Sequence, residues 1–125
     1  LRNNWIQPRD AQVVYTGWAT PWKTDNAGFH RCAPRLSAQA GDWVVAQKVV
    51  LVCTENWAVE AIPGPNPNIF APNHQKFLVE NGIYIMENMN FESLLADKVY
   101  EFAFAFGAIP FKGATGSPAR PFALR

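Results

Sequence analysis

Two side chains in the stretch from Pro72 to Asn90 combine a useful chemistry with a position that makes it usable: His74 and Glu87. Pro72 and Asn73 read as the start of a short helix with Asn73 as its cap, and Asn81-Gly82 as its end, where a residue with positive φ is wanted. His74 then falls in the first helical turn. The i, i+3, i+4 spacing of His74, Phe77 and Leu78 puts the imidazole on the apolar face, pointing toward the core. The following run, Ile83-Tyr84-Ile85-Met86, reads as a strand that is apolar on both faces and so covered on both sides. Glu87 closes it. A carboxylate at the end of a buried strand is costly unless a cation, a metal or several donors neutralise it. A neutral imidazole can ligate a metal or accept a proton, so His74 with Glu87 offers a metal site or an acid–base pair. A hydrogen-bonded core histidine and a strand-end glutamate paired with an arginine fit the same pattern. Residue pattern alone leaves both readings open.

The elements that must position this pair can be read along the chain. The opening Leu1 to Arg9 is interrupted by Pro8 and is irregular. Gln12 to Thr16 is a β-branched and aromatic run closed by Gly17, a strand signal. Lys23 to Pro34 reads as a long surface loop. A helix follows over 36–47, with Leu36, Ala40, Trp43, Val44 and Gln47 on one face and a helix penalty at Gly41. Val49 to Cys53 reads as a second buried strand, and strand, helix, strand in that order predicts a β-α-β unit. The fold class expected is therefore α/β, a mixed, partly parallel sheet with packed helices. Glu55, Trp57 and Glu60 precede the stiff Pro63-Gly64-Pro65-Asn66-Pro67 connection. Beyond Asn90, Phe91 to Leu95 is one helical turn or a turn-like link, Val99 to Phe106 alternates as a strand, Gly113 to Arg120 is a loop, and Phe122 to Leu124 adds an edge strand.

With 125 residues, 49% of them hydrophobic, the chain is long enough for one core and too short for two ordinary domains. A net charge of +1 without a lysine and arginine stripe argues against nucleic acid as the main partner. No apolar run is long enough to span a membrane. Cys32 and Cys53 are too few for a disulfide framework, which predicts a reducing, cytoplasmic setting. The chain opens at Leu1 without a methionine, and the expectation is that its true beginning lies upstream.

Other constellations carry less. His30, Cys32, Cys53 and His74 lack the close ligand spacing of a zinc site. Near Lys112 the lysine precedes the glycines and no G-K-[ST] end leads into a helix, which reads as a tight turn instead of a phosphate loop. Five tryptophans suggest an aromatic surface for a carbohydrate or heterocycle only if exposed rings lie coplanar. Ser117 with His74 and Glu87 forms a nominal triad, but it lacks a G-x-S-x-G elbow, and Pro118 removes the backbone N–H that would serve an oxyanion hole.

Four segments, in order, resemble one family. They are D-A-Q-V-V-Y-T-G-W (Asp10 to Trp18), W-A-V-E-A-I-P (Trp57 to Pro63), H-Q-K-F-L-V-E-N-G-I-Y-I-M-E-N (His74 to Asn88) and G-A-T-G-S-P-A-R (Gly113 to Arg120). Together they resemble the C-terminal half of the cyclase-family metal-dependent hydrolases, the group that includes bacterial kynurenine formamidase and isatin hydrolase. The resemblance implies a swivelling β/β/α-type fold, with residues 1–125 a single partial domain. It also implies a Mn- or Zn-dependent hydrolase of formamide, lactam or other cyclic amide bonds, acting on a small-molecule substrate. It carries His74 and Glu87 over as metal ligands, with His74 as ligand or proton shuttle. The family's principal metal motif, of the H-x-G-T-H-x-D type, belongs to the N-terminal half and has no match here, and Glu55 stands where relatives more often have Asp. The resemblance therefore implies a missing N-terminal half, upstream or on a companion chain, and a homo-oligomer. The alternatives are a non-catalytic module that binds a small ligand or carbohydrate in an aromatic pocket, and an inactive fragment.

Overall fold

The computed structural model describes residues 6–31 and 33–125; the expectations that touch Leu1 to Trp5, and the Cys32 member of the four-residue zinc set, fall outside them. The chain divides into two units, one running to Phe91 and the other Glu92–Arg125. No helix is long and apolar enough to cross a membrane among the described residues.

The first unit is built on a parallel three-stranded sheet in the order β1 (Ala11–Val14), β2 (Leu51–Thr54), β3 (Tyr84–Met86). Ala11 pairs with Leu51 and Leu51 with Tyr84, so β2 is central, and all four of its residues are buried. That is why its sequence is uniformly apolar up to Thr54. Between β1 and β2 lie a 3-10 turn (Thr20–Lys23), α1 (Asn26–Arg31) and α2 (Ala38–Ala46). The predicted loop from Lys23 to Pro34 thus contains a helix, which the Asp25 carboxylate starts by accepting from the Gly28 N–H at 2.9 Å. The helix predicted over 36–47 begins two residues later than expected, because Ser37 Oγ accepts from the Ala40 N–H at 3.2 Å and caps it. Val44 faces the core, but Trp43, expected on the apolar face, is 53% exposed.

The core gathers Val44, Val49, Val52, Val59, Phe77 and Ile83. The strand expected to be covered on both sides is instead an outer strand of this sheet, with Tyr84 63% exposed and Ile85 and Met86 half-buried. Apolar character on both faces did not require burial on both.

The second unit holds a short helix (Glu92–Ala96) and an antiparallel hairpin of β4 (Ala103–Ala108) and β5 (Ala119–Leu124), with Phe104 opposite Ala123 and Phe106 opposite Pro121. The strand expected from Val99 starts later, and the expected edge strand at Phe122 is longer and is the hairpin's second arm. Gly113, at φ 76, turns the link between them, which is the turn the lysine and glycine order indicated.

Candidate functional site

The site is assembled in the first unit by three segments: the stretch after β2, the helix that follows it, and the end of β3. The stretch leaves β2 with Glu55 and runs parallel to the segment just before α2, where the Leu36 N–H donates to Val59 O at 3.0 Å. Ala58, Val59 and Glu60 are buried there, and Glu60 is only 1% exposed. A buried carboxylate needs donors, and Glu60 finds them at the start of the next helix.

That helix, α3, begins at Pro72–His74 and continues as a π-helical turn over Gln75–Glu80. The residue before it, Ala71, is left-handed at φ 51 and offers no capping side chain. Glu60 fills that role from a distance. Its Oε2 accepts from the Asn73 N–H and its Oε1 from the His74 N–H, both at 2.7 Å. Asn73 therefore is not the cap the sequence suggested. It is buried in the first turn, and its side-chain amide donates to Ser37 O at 3.1 Å and Leu36 O at 3.4 Å.

The imidazole of His74 continues the same contact: Nδ1 lies 2.7 Å from Glu60 Oε1. On its other side, Nε2 lies 3.6 Å from Glu87 Oε1. His74 and Glu87 are thus brought together as expected, but not by an inward-pointing histidine. The π-turn changes the phase of the helix, so Phe77 enters the core while His74, 31% exposed in its side chain, shares a groove with Leu78. Glu87 is 23% exposed in its side chain, and its Oε1 also accepts from the Val59 N–H at 2.7 Å. Burial raises the Glu87 carboxyl above the ordinary carboxylate range. The Val59 N–H and the charges of His74 and Arg35 pull it down, while Glu60 pushes it up.

The groove has a volume of about 530 Å³ and is walled by Trp57, Ile62, Phe70, Leu78 and Val79, with His74, Gln75 and Glu87 as its polar members. Arg35 stacks its guanidinium 4.1 Å from the centre of the Trp57 ring and stiffens that wall. An apolar groove with a few convergent polar groups is the usual form of a small-molecule site.

The remaining candidates have other partners. Cys53 is fully buried in β2, where burial pushes its thiol up to about 12, and His30 lies among the rings of Trp22, Phe29 and Trp57. Among the described residues, no three or more His, Cys, Asp or Glu side chains are grouped so as to hold a metal. The contacts of Trp22 with Phe29 and His30 are edge-on, at 76° and 72°, unlike the coplanar platform a sugar would need. Ser117 Oγ accepts from the Ile109 N–H and donates to Pro118 O, a turn-forming role in the second unit. Glu55, though buried, takes the Thr16 N–H and hydroxyl at 2.6 Å each and the Trp18 N–H at 3.2 Å, so it anchors the loop after β1.

Glu60 is the residue that sequence reasoning missed. One signal was available: it is the lone charge in the run Ala58-Val59-Glu60-Ala61-Ile62, a few residues after a buried strand. A carboxylate in such a run implies donors elsewhere, though not which ones.

Comparison with known proteins adds two findings. The Cyclase family model matches residues 2–61. A crystal structure described as that of a novel cyclase is 28% identical and superposes with a TM-score of 0.77 over 96% of this chain. The match covers 41% of that structure's own chain, so the present chain spans about two fifths of its length. No curated protein matches. The two findings support the cyclase family and a cyclase-like fold.

Proposed function

We propose that this chain is the C-terminal part of a cyclase-family, metal-dependent hydrolase that opens a formamide, lactam or other cyclic amide C–N bond, with His74 and Glu87 as two of the metal's ligands. The observation that carries the reading is the 3.6 Å approach of His74 Nε2 to Glu87 Oε1 at the edge of the groove. That separation is too long for a hydrogen bond, and an imidazole nitrogen facing a carboxylate oxygen at this distance leaves room for a cation between them. Two metal bonds of about 2.1 Å meeting near the tetrahedral angle place their donors about 3.4 Å apart, so the pair fits two positions on one ion. Mn or Zn bound there would supply a polarised carbonyl and a water of lowered pKa.

The chain's own residues do the rest. Glu60 holds the far side of the imidazole, the Val59 N–H holds Glu87, and Trp57, Phe70 and Leu78 wall off water from an amide seated beside them. A catalytic metal ordinarily takes about three protein ligands, so the upstream half of the enzyme or a companion chain completes the set, within a homo-oligomer.

The test is hydrolysis of N-formylkynurenine, isatin and a bicyclic lactam by the chain together with its upstream region, with Mn or Zn added or chelated. Turnover of one of them that needs metal and falls at least about a hundredfold in His74→Ala supports the reading. Metal-independent binding of an apolar heterocycle without turnover would support a binding module instead.

A further inference from the structure

Glu60 does more than its burial requires. Its two oxygens meet three N–H groups: the amides of Asn73 and His74 and the imidazole Nδ1, each at 2.7 Å. A carboxylate can only accept, so the ring nitrogen facing it must carry hydrogen. In the neutral ring this leaves Nε2 with the lone pair, and Nε2 is the nitrogen turned toward Glu87. The two amide bonds fix the same carboxylate against the backbone from which the imidazole hangs. Ring and main chain are therefore gripped by one group, and rotation of the ring would break the third bond while the other two hold the carboxylate still.

We propose that Glu60 is a positioning residue: it fixes His74 in the Nδ1–H tautomer and aims Nε2 at the Glu87 side of the groove, so that ligation needs no rearrangement of the ring. This deepens the hydrolase reading and rests on it for the purpose of the aimed nitrogen. The tautomer itself does not depend on that reading. A residue that only capped α3 would order the Asn73 and His74 amides and leave the ring's protonation pattern unconstrained.

Two-bond ¹H–¹⁵N spectra of the ¹⁵N-labelled protein near neutral pH read the pattern directly, because protonated and bare imidazole nitrogens resonate far apart. The wild type should show His74 as Nδ1–H with bare Nε2. Glu60→Gln, whose amide cannot accept from all three donors, should shift the population toward Nε2–H, and Glu60→Asp, which keeps the charge, should restore Nδ1–H. Glu55→Gln, which disturbs a buried carboxylate elsewhere, should leave the His74 pattern as it is. Zinc affinity, measured beside the spectra, should fall roughly ten- to hundredfold in Glu60→Gln. A wild type with Nε2–H or a doubly protonated ring overturns the proposal, whether or not the variants fold. So does a folded Glu60→Gln that keeps the wild-type pattern. A wild type that binds no zinc but shows the expected tautomers sinks the metal reading and leaves Glu60 in its role.

Discussion

At the scale of single residues, charge and burial oppose each other most sharply at Glu87 and Cys53. The Glu87 carboxylate is partly stripped of water, which is what raises it. Glu87→Gln keeps an oxygen for the Val59 N–H and removes the desolvated charge. The metal-free chain should therefore lose no stability near neutral pH, while metal affinity should fall by roughly tenfold or more. Thermal melts beside a zinc titration check both, and unchanged affinity would remove Glu87 from the site. For Cys53 the sign runs toward alkali. The folded thiol holds its proton up to about 12 against an ordinary value of 9.0, so the folded state binds more protons between those limits. Stability should be unaffected below pH 9 and should fall as pH rises toward 12. Alkylation mapped by mass spectrometry should leave Cys53 unmodified in the native protein at pH 8, and rapid modification there would contradict its burial. Sequence made His74 and Glu87 legible because both stand at element boundaries marked by proline, asparagine and glycine. Glu60 was not legible in its role, because its partners are main-chain amides whose position depends on a left-handed Ala71 that no local signal announces.

At the scale of elements, the helix bearing His74 is positioned through its contact with α2. Gly41 of α2 packs so closely on Asn73 that an added Cβ would lie 2.1 Å from Asn73 Oδ1. The glycine that looked like a helix penalty is the residue that lets the two helices approach. Gly41→Ala removes that penalty but pushes on a fully buried side chain, so it should destabilise by about 1–3 kcal/mol. Gly64→Ala is the informative comparison, since an added Cβ there meets nothing closer than Ala61 O at 3.7 Å. Thermal melts should separate the two, and equal losses would show that the contact with Asn73 is not the cause. The parallel β-α-β order was readable because buried strands and an amphipathic helix have different periods. The π-turn was not readable: an inserted residue shifts the phase of every later side chain, and counting at 3.6 residues per turn put His74, Phe77 and Leu78 on one face, whereas Phe77 enters the core and His74 and Leu78 line the groove.

At the scale of the molecule, apolar side chains remain on the surface of both units. Phe70, Val79 and Tyr84 are exposed in the first, and Tyr100, Phe111, Phe122 and Leu124 in the second. A two-stranded hairpin is marginal by itself, and exposed apolar surface of this kind ordinarily meets a partner. The chain by itself should therefore self-associate, which light scattering would read as a mass above one protomer; a monodisperse monomer at high concentration would contradict this. The proposed metal site rests on His74 and Glu87, whose Nε2 and Oε1 lie 3.6 Å apart. The most direct measurement is equilibrium dialysis of the chain against zinc, with bound metal counted by mass spectrometry, for the wild type, His74→Ala and Glu87→Gln. The account predicts one weak zinc site per chain, lost in His74→Ala and weakened in Glu87→Gln. Tight zinc that survives both substitutions, or no zinc bound by the folded wild type, would contradict it.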